Sequence, residues 1–500
     1  MTAATTATAA TTATARAFAT ARASAADRIA GIVADYARRH PVPGVAVSVF
    51  DGAAIRAEIG LGARAMDSPG DAMTEHTLFR LISLTKMFTT LAAMRLADAG
   101  RLALDEPVGD LFPASADLPA RIPSVTVRQL LSHTSGLTRG ELDLNVGSSD
   151  PGGLAEYTLG PGVHTPFIAE PGVVYSYSDE GFSIVGYLIE RVTGRHFAAA
   201  VRELVFEPVG MSSACFEPLV AMTYPLSQQH VYRNGGLVQN HRFAEAARMH
   251  PCAGAFCSVH DLALFGMLHL SGGLAPGGER VLSADAVGQM HDPRTDIGLD
   301  IDLRYGLGAY AGPRYGGHLA FGHEGYLYGT WAKLVLVPGA GVGVAWCDNC
   351  GPVPGLIAAR YRAINQILAQ LCGGEPSWRR PDGPGPGEDR VAPRPERCAG
   401  RYRAHTGRPV DVSARGDGLF ITDGTAGVGL AHHHGSVFVA DQPDQTDQTA
   451  PAAAPLPPRP PWEPHAGSSR CSVRFAGPST GPASHLTLNG IAYRRQPPSP

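Results

Sequence analysis

The stretch Phe79-Arg80-Leu81-Ile82-Ser83-Leu84-Thr85-Lys86-Met87-Phe88 decides how the rest of this 500-residue chain is read. In a helix beginning near Ser83, positions i and i+3 share a face, so the Lys86 amine reaches the Ser83 oxygen. A helix start also offers backbone N–H groups and partial positive charge where an oxyanion would form. A serine hydroxyl attacks a carbonyl only with a base beside it, and a lysine serves where burial near other cations makes its proton labile. Taken alone, Ser-x-x-Lys recurs by chance and fits an ordinary surface helix. Here Met87, Phe88, Leu91, Met94 and Leu96 follow near helical period and Gly100 supplies a stop. That pattern makes the segment a core helix whose start lies inside the protein, where a lysine needs a reason.

Upstream, 26–38 reads as a helix, and 43–50 and 53–59 read as two strands turning at Asp51-Gly52. Downstream, helical patterns run over 126–131 and 181–192, strand patterns over 319–336 and 341–346, and a helix over 361–371. Strands from both sequence ends with helices between them predict an α+β domain over 27–372. Its architecture is one mixed antiparallel sheet assembled from distant segments, an inserted helical lobe, and a pocket between the two. The Pro/Gly-rich run 373–395 reads as a linker. Beyond it, 396–500 carries short alternating runs such as Val410-Asp-Val and Val437-Phe-Val, the pattern of a small antiparallel barrel or sandwich. The Ala/Thr-rich 1–26 and the Pro/Ala/Gln-rich insertion 442–464 read as disordered.

The 41 basic and 45 acidic residues leave a formal charge of −4 with no basic stripe, which argues against nucleic acid and anionic membrane as partners. No window of about 18 apolar residues suggests a transmembrane helix. The N-terminal stretch lacks a basic n-region followed by an apolar h-region, so a cytoplasmic location is expected. Eight scattered cysteines suit reduced thiols. Cys347-Asp-Asn-Cys350 has no second pair or matching histidines and reads as structural, and His432-His433-His434 reads as a solvated loop.

Three further segments carry a family resemblance. They are Val125-Thr-Val-Arg-Gln-Leu-Leu-Ser-His133-Thr134-Ser135-Gly136-Leu137, then Pro171-Gly-Val-Val-Tyr-Ser-Tyr177-Ser178-Asp179-Glu-Gly-Phe, then Gly322-His323-Glu324-Gly325-Tyr326. With Ser83 and Lys86 they resemble, in order and spacing over about 40–370, the serine hydrolases related to class C β-lactamases. That group includes DD-peptidases, family VIII esterases and D-aminopeptidases. Pro251-Cys-Ala-Gly254-Ala-Phe-Cys-Ser258 resembles the family's Pro-x-Gly-Gly-x-x-Ser segment. The resemblance implies a β-lactamase/DD-peptidase-like fold, followed here by a small, lipocalin-like all-β domain. It implies Ser83 as nucleophile, Lys86 as its base or proton relay, and Tyr177 as the tyrosine that shuttles protons. His323, in the place of the Lys-Thr-Gly lysine, is expected to bond the Tyr177 oxygen or a substrate carboxylate. Gly325 is expected to let substrate backbone approach, and the backbone N–H groups of Ser83 and Tyr326 to form the oxyanion hole. The His133 loop is structural in the family and stays outside the catalytic set.

Two departures bear on activity. Asp179 stands where the family usually has Asn; when ionised it only accepts hydrogen bonds, and beside Lys86 it favours the charged amine. His323 replaces a permanently charged lysine that β-lactamases and DD-peptidases use to hold a carboxylate. The expected chemistry is acyl transfer through an acyl-Ser83 ester from a small-molecule ester or amide, without metal or organic cofactor. Water as acceptor makes an esterase or amidase; an amine or alcohol makes a transacylase, as in natural-product or antibiotic biosynthesis. A D-amino-acid-specific peptidase, a β-lactamase, and a non-turnover acylated sensor or binding protein are the alternatives. Oligomeric state is left open.

Overall fold

Gly44-Val-Ala-Val-Ser-Val-Phe-Asp51 is apolar on both alternations, as a strand covered on both faces must be. In the computed structural model it forms β1 (Gly44–Asp51), hairpinned to β2 (Ile55–Gly62). The structure describes residues 25–497, apart from 139–148, 161–166, 242–244, 379–393, 405–408, 424–426, 435–436, 442–469, 477–481, 489–490 and the single positions 115, 117, 120, 298, 300, 328, 352, 354 and 417. The expected disorder of 442–464 and of nearly all of 1–26 lies outside the described residues.

The remaining long strands come from the other end of the domain: β3 (Tyr310–Tyr315), β4 (His318–Leu327), β5 (Thr330–Val337) and β6 (Val342–Asp348). They complete an antiparallel sheet in the order β2-β1-β6-β5-β4-β3, extended past β3 by the short strands Arg304–Tyr305 and Thr295–Asp296. Strand β1, early in sequence, therefore pairs with β6, almost 300 residues later, in the register Val45↔Asp348 to Asp51↔Val342.

One face of the sheet is covered by α1 (residues 25–39) and, from the far end of the domain, a C-terminal helix running over Leu356–Cys372. Beneath them Asp348 is fully buried and takes two hydrogen bonds from the Arg360 guanidinium, one from the Tyr36 hydroxyl and one from the Trp346 indole. The other face is covered by α2 (Lys86–Asp98), α3 (Asp179–Thr193) and α4 (Val259–Leu270), which share the large core. The C-terminal helix Leu356–Cys372 is α5. Cys347 and Cys350 are buried free thiols, and Asn349 between them ties β1 in place by accepting from Gly44 N and donating to Ala63 O and Arg64 O.

Among the described residues, eight strands between Gly400 and Arg495 close into a barrel, the last pairing with the first at Tyr402↔Arg495, so that these strands leave no sheet edge open. Its outer face docks on the helical lobe: Ala476 and Ala492 pack on Ile168, Ala169 and Val174, and His485 Nε2–H donates to Ile168 O at 2.8 Å.

Several expectations need correction. The α-helix starts at Lys86, and Ser83 sits in a preceding 3-10 turn, Ile82–Thr85. The stretch 373–395 is not wholly linker: Pro376–Ser377 pairs with β3, and Trp378 O accepts from Asp302 N, because the Trp378 ring packs into an apolar cluster. His432–His434 lies in the strand Gly427–His434 rather than in a loop, since pairing with Val437–Asp441 takes up its backbone. Among the described residues no helix is long and apolar enough to cross a membrane.

Candidate active site

The residue before the serine is the first sign of a built site. Ile82 has φ +48°, a region that a β-branched side chain rarely enters. Such strain persists only where the surroundings over-determine it. Here the surroundings are β4: a Cβ on Gly325 would stand 1.9 Å from Leu81 O and 2.7 Å from Ser83 N. Gly325 is thus required by the contact between the strand and the Ser83 turn. The same contact lays the Gly325-Tyr326 backbone alongside the Ser83 amide.

Lys86, fully buried, spends its three donors on three acceptors: Ser83 Oγ at 3.2 Å, Asp179 Oδ1 at 2.6 Å and Cys252 O at 3.1 Å. Each acceptor has its own support. Asp179 opens α3, where the helix dipole favours a carboxylate and the Ser178 hydroxyl caps the helix by accepting from Gly181 N. Cys252 belongs to the Pro251–Ser258 segment, which also accepts from Thr89 through Pro251 O and donates to Thr85 through Ala255 N.

Tyr177 and Asp179 are two apart on an extended stretch (Ser178 φ −134°, ψ 117°), which turns both side chains the same way. The Lys86 Nζ accordingly lies 4.8 Å from the Tyr177 ring centre. The ring is also met by His133, centroids 4.2 Å apart and planes at 35°. His133 Nδ1 also accepts from Ser178 N, so one imidazole braces the Tyr177 ring and the backbone that precedes Asp179. It holds this place with φ +58°.

His323 reaches the site but not in the expected way. Its Nδ1–H donates to Glu324 O at 2.6 Å and its Nε2 accepts from the Tyr305 hydroxyl at 3.1 Å, which uses both ring nitrogens and leaves none for the Tyr177 oxygen. Its ring centre is 6.3 Å from that of Tyr177. Burial, helped by the Lys86 charge, pushes the His323 pKa down to about 3, so the ring is neutral. Tyr305, from a two-residue strand ahead of β3, has no spacing relation to His323 in the sequence. His133 carried a visible signal, its place in the His-Thr-Ser-Gly motif.

Glu180, next to Asp179 on α3, accepts from Tyr157 OH at 2.6 Å and lies 3.8 Å from Arg248. Burial raises its pKa to about 7 despite both neighbours. Ser83, Lys86, Tyr177, Asp179 and Gly325 therefore converge at one place, with His323 on its rim and Tyr326, half exposed, beside it. Among the described residues no group of three or more His, Cys, Asp or Glu is placed to hold a metal ion.

Comparison with known proteins agrees with this geometry. The Beta-lactamase family model matches residues 29–368. Penicillin-binding protein 4 of Amycolatopsis lactamdurans is 31% identical over 348 residues, covering 67% of this chain and 87% of that protein. Esterase EstB of Burkholderia gladioli is 38% identical over 161 residues, 29% of this chain and 40% of the esterase. In fold, the crystal structure of SurE matches 95% of this chain and 100% of its own with a TM-score of 0.69 at 22% identity, barrel included. With a serine, a lysine and a tyrosine assembled against β4 and a family match over two thirds of its length, the chain belongs to the beta-lactamase family and is a class C-like serine hydrolase.

Proposed function

We propose that the protein transfers an acyl group from a small-molecule ester or amide through an acyl-Ser83 ester, to an amine or alcohol in natural-product metabolism, with water as the competing acceptor. The observation that carries the mechanism is the Lys86 ammonium, which donates to Ser83 Oγ while held by Asp179 and Cys252 O. The Asp179 carboxylate beside it favours the charged amine over a free base. Tyr177, whose ring stands 4.8 Å from that cation, takes the proton instead.

In the acylation step the Tyr177 phenolate accepts the Ser83 proton as Oγ bonds to the carbonyl carbon. The oxyanion is received by the backbone N–H groups of Ser83 and Tyr326. Collapse breaks the bond to the leaving group, which departs with the proton from Tyr177. The acceptor amine or alcohol then loses its proton to Tyr177 and attacks the ester, and Ser83 leaves and is reprotonated.

The choice of acyl donor is supported by what the site lacks. With His323 neutral, the pocket rim has no permanent cation at the position that holds the carboxylate of β-lactams and peptidoglycan peptides in relatives. A donor that carries no carboxylate fits better. The test is partition: the protein acts on an activated ester while a primary amine is titrated. Amide product rising with amine at constant ester consumption supports transfer through a common acyl-enzyme. Carboxylic acid as sole product at every amine concentration reduces the function to an esterase or amidase.

A further inference from the structure

Strand β4 has two faces, and only one serves Ser83. Alternation turns His323 and Gly325 toward the helical lobe and Glu324 toward α5. On that second face lies a recess, part of it open to solvent, with an inner volume of about 60 Å³, room for a few water molecules or one small ligand. Apolar and aromatic side chains wall it, among them Leu303, Tyr310 and Trp378, and one charged pair lies in it, Glu324 with Lys333. A largely apolar recess with a few convergent polar groups is the usual form of a small-molecule site.

The polar groups restrict what fits. Tyr361 OH donates to Glu324 Oε2 at 2.5 Å, while Lys333 Nζ stands farther off, 3.5 Å from the same oxygen and 3.3 Å from the Tyr361 oxygen. Their side chains keep 21% and 17% of their exposure, so both charges are mostly taken from water. The acyl-transfer mechanism uses neither. A lone amine entering here would pair with Glu324 and strand Lys333; a lone carboxylate would do the reverse. Leaving a mostly buried charge without its partner is costly. A ligand that carries both charges inserts into the loose pair and leaves every charge matched.

We propose that this recess binds a free α-amino acid with an apolar side chain, separate from the acylation site. Its ammonium meets Glu324, its carboxylate meets Lys333, and its side chain lies among Leu303, Tyr310 and Trp378. No covalent step is involved.

The test uses the full chain with Ser83 first phosphonylated by a fluorophosphonate, so that the acylation pocket is filled. Titration calorimetry with L-leucine and with D-leucine should show one site per chain for at least one hand, with a dissociation constant below about 1 mM, roughly −4 kcal/mol. 3-Methylbutylamine and 4-methylpentanoate, which lack one charge each, should bind at least tenfold more weakly. Glu324→Gln and Lys333→Met should each weaken leucine at least tenfold, with stoichiometric phosphonylation of Ser83 showing that the variants are folded. Equal binding of the one-charge analogues, undiminished binding in both variants, or no heat with either leucine would overturn the proposal. So would binding present in the free protein and abolished by phosphonylation, which would place the amino acid in the acylation pocket.

Discussion

Two buried ion pairs sit on opposite faces of the same sheet. Arg360–Asp348 lies beneath α5; Lys86–Asp179 joins the starts of α2 and α3. Both are almost wholly removed from water, with side-chain exposures of 1%/0% and 0%/6%. They differ in what else they hold. Asp348 is saturated by Arg360, Tyr36 and Trp346, and Arg360 gives a further N–H to Cys350 O. All of those partners are structural. Lys86 gives one of its three donors to a hydroxyl in a strained turn. The same kind of buried charge pair closes a core in one place and holds a nucleophile in the other, and the third partner makes the difference.

The largest contrast comes from removing each cation. Lys86→Met should lower acylation by at least about 10³-fold, since the nucleophile and Tyr177 both lose the charge beside them. Arg360→Met should leave turnover per folded molecule within about twofold but cost roughly 3–5 kcal/mol, because it strands the Asp348 carboxylate. Denaturant unfolding alongside steady-state rates separates the two. Comparable losses of activity per folded molecule in both variants would erase the distinction. Tyr177→Phe comes next, with acylation down about 10²–10⁴-fold and the melting temperature nearly unchanged.

Glu180 sharpens the comparison from a third side, as a buried carboxyl whose nearest cation is 3.8 Å away. In the folded protein it keeps its proton up to about 7, against a value of 4.5 for a free carboxyl. Its contribution is therefore full below about pH 4.5 and is lost as pH rises through 7, to a total of about 3 kcal/mol. Glu180→Gln, which cannot ionise, should be more stable than the wild type at pH 8 relative to pH 5 in urea titrations. Parallel pH profiles for the two proteins would contradict this. A smaller effect is expected of Asp179→Asn, about tenfold in acylation: the amide accepts from Lys86 without a full negative charge and holds the ammonium less firmly. Increased acylation would show that the carboxylate is a handicap. The least effect concerns His323, which stays neutral until the pH nears 3. His323→Gln should leave the acid limb of kcat/KM between pH 5 and 8 where it is in the wild type.

The catalytic set was legible wherever local geometry fixes it. Ser83 and Lys86 are three apart, and that spacing carries their meeting; Tyr177 and Asp179 were legible only through the family resemblance, and the extended stretch that turns both the same way appears with the fold. The shape of the turn was not legible, because nothing local prefers φ +48° at Ile82; it is imposed by β4, 240 residues later. Tyr305 escaped for the same reason, since its bond to His323 exists only after the sheet forms. That strands from both ends of the domain share one antiparallel sheet followed from the valine-rich segments there; their order appears only in the fold. The Pro/Gly-rich run after α5 misled at its start, because composition does not reveal that Trp378 is anchored.

The central claim is that Ser83 is acylated with Tyr177 as base while Lys86 stays charged and committed to Asp179. Intact-mass spectrometry over time with an activated ester tests it most directly, on the wild type, Ser83→Ala and Tyr177→Phe. A one-acyl adduct on Ser83 that rises and decays in the wild type, is absent in Ser83→Ala and forms at least about 100-fold more slowly in Tyr177→Phe is the predicted result. An adduct that persists in Ser83→Ala, or one that forms at the wild-type rate in Tyr177→Phe, would contradict it.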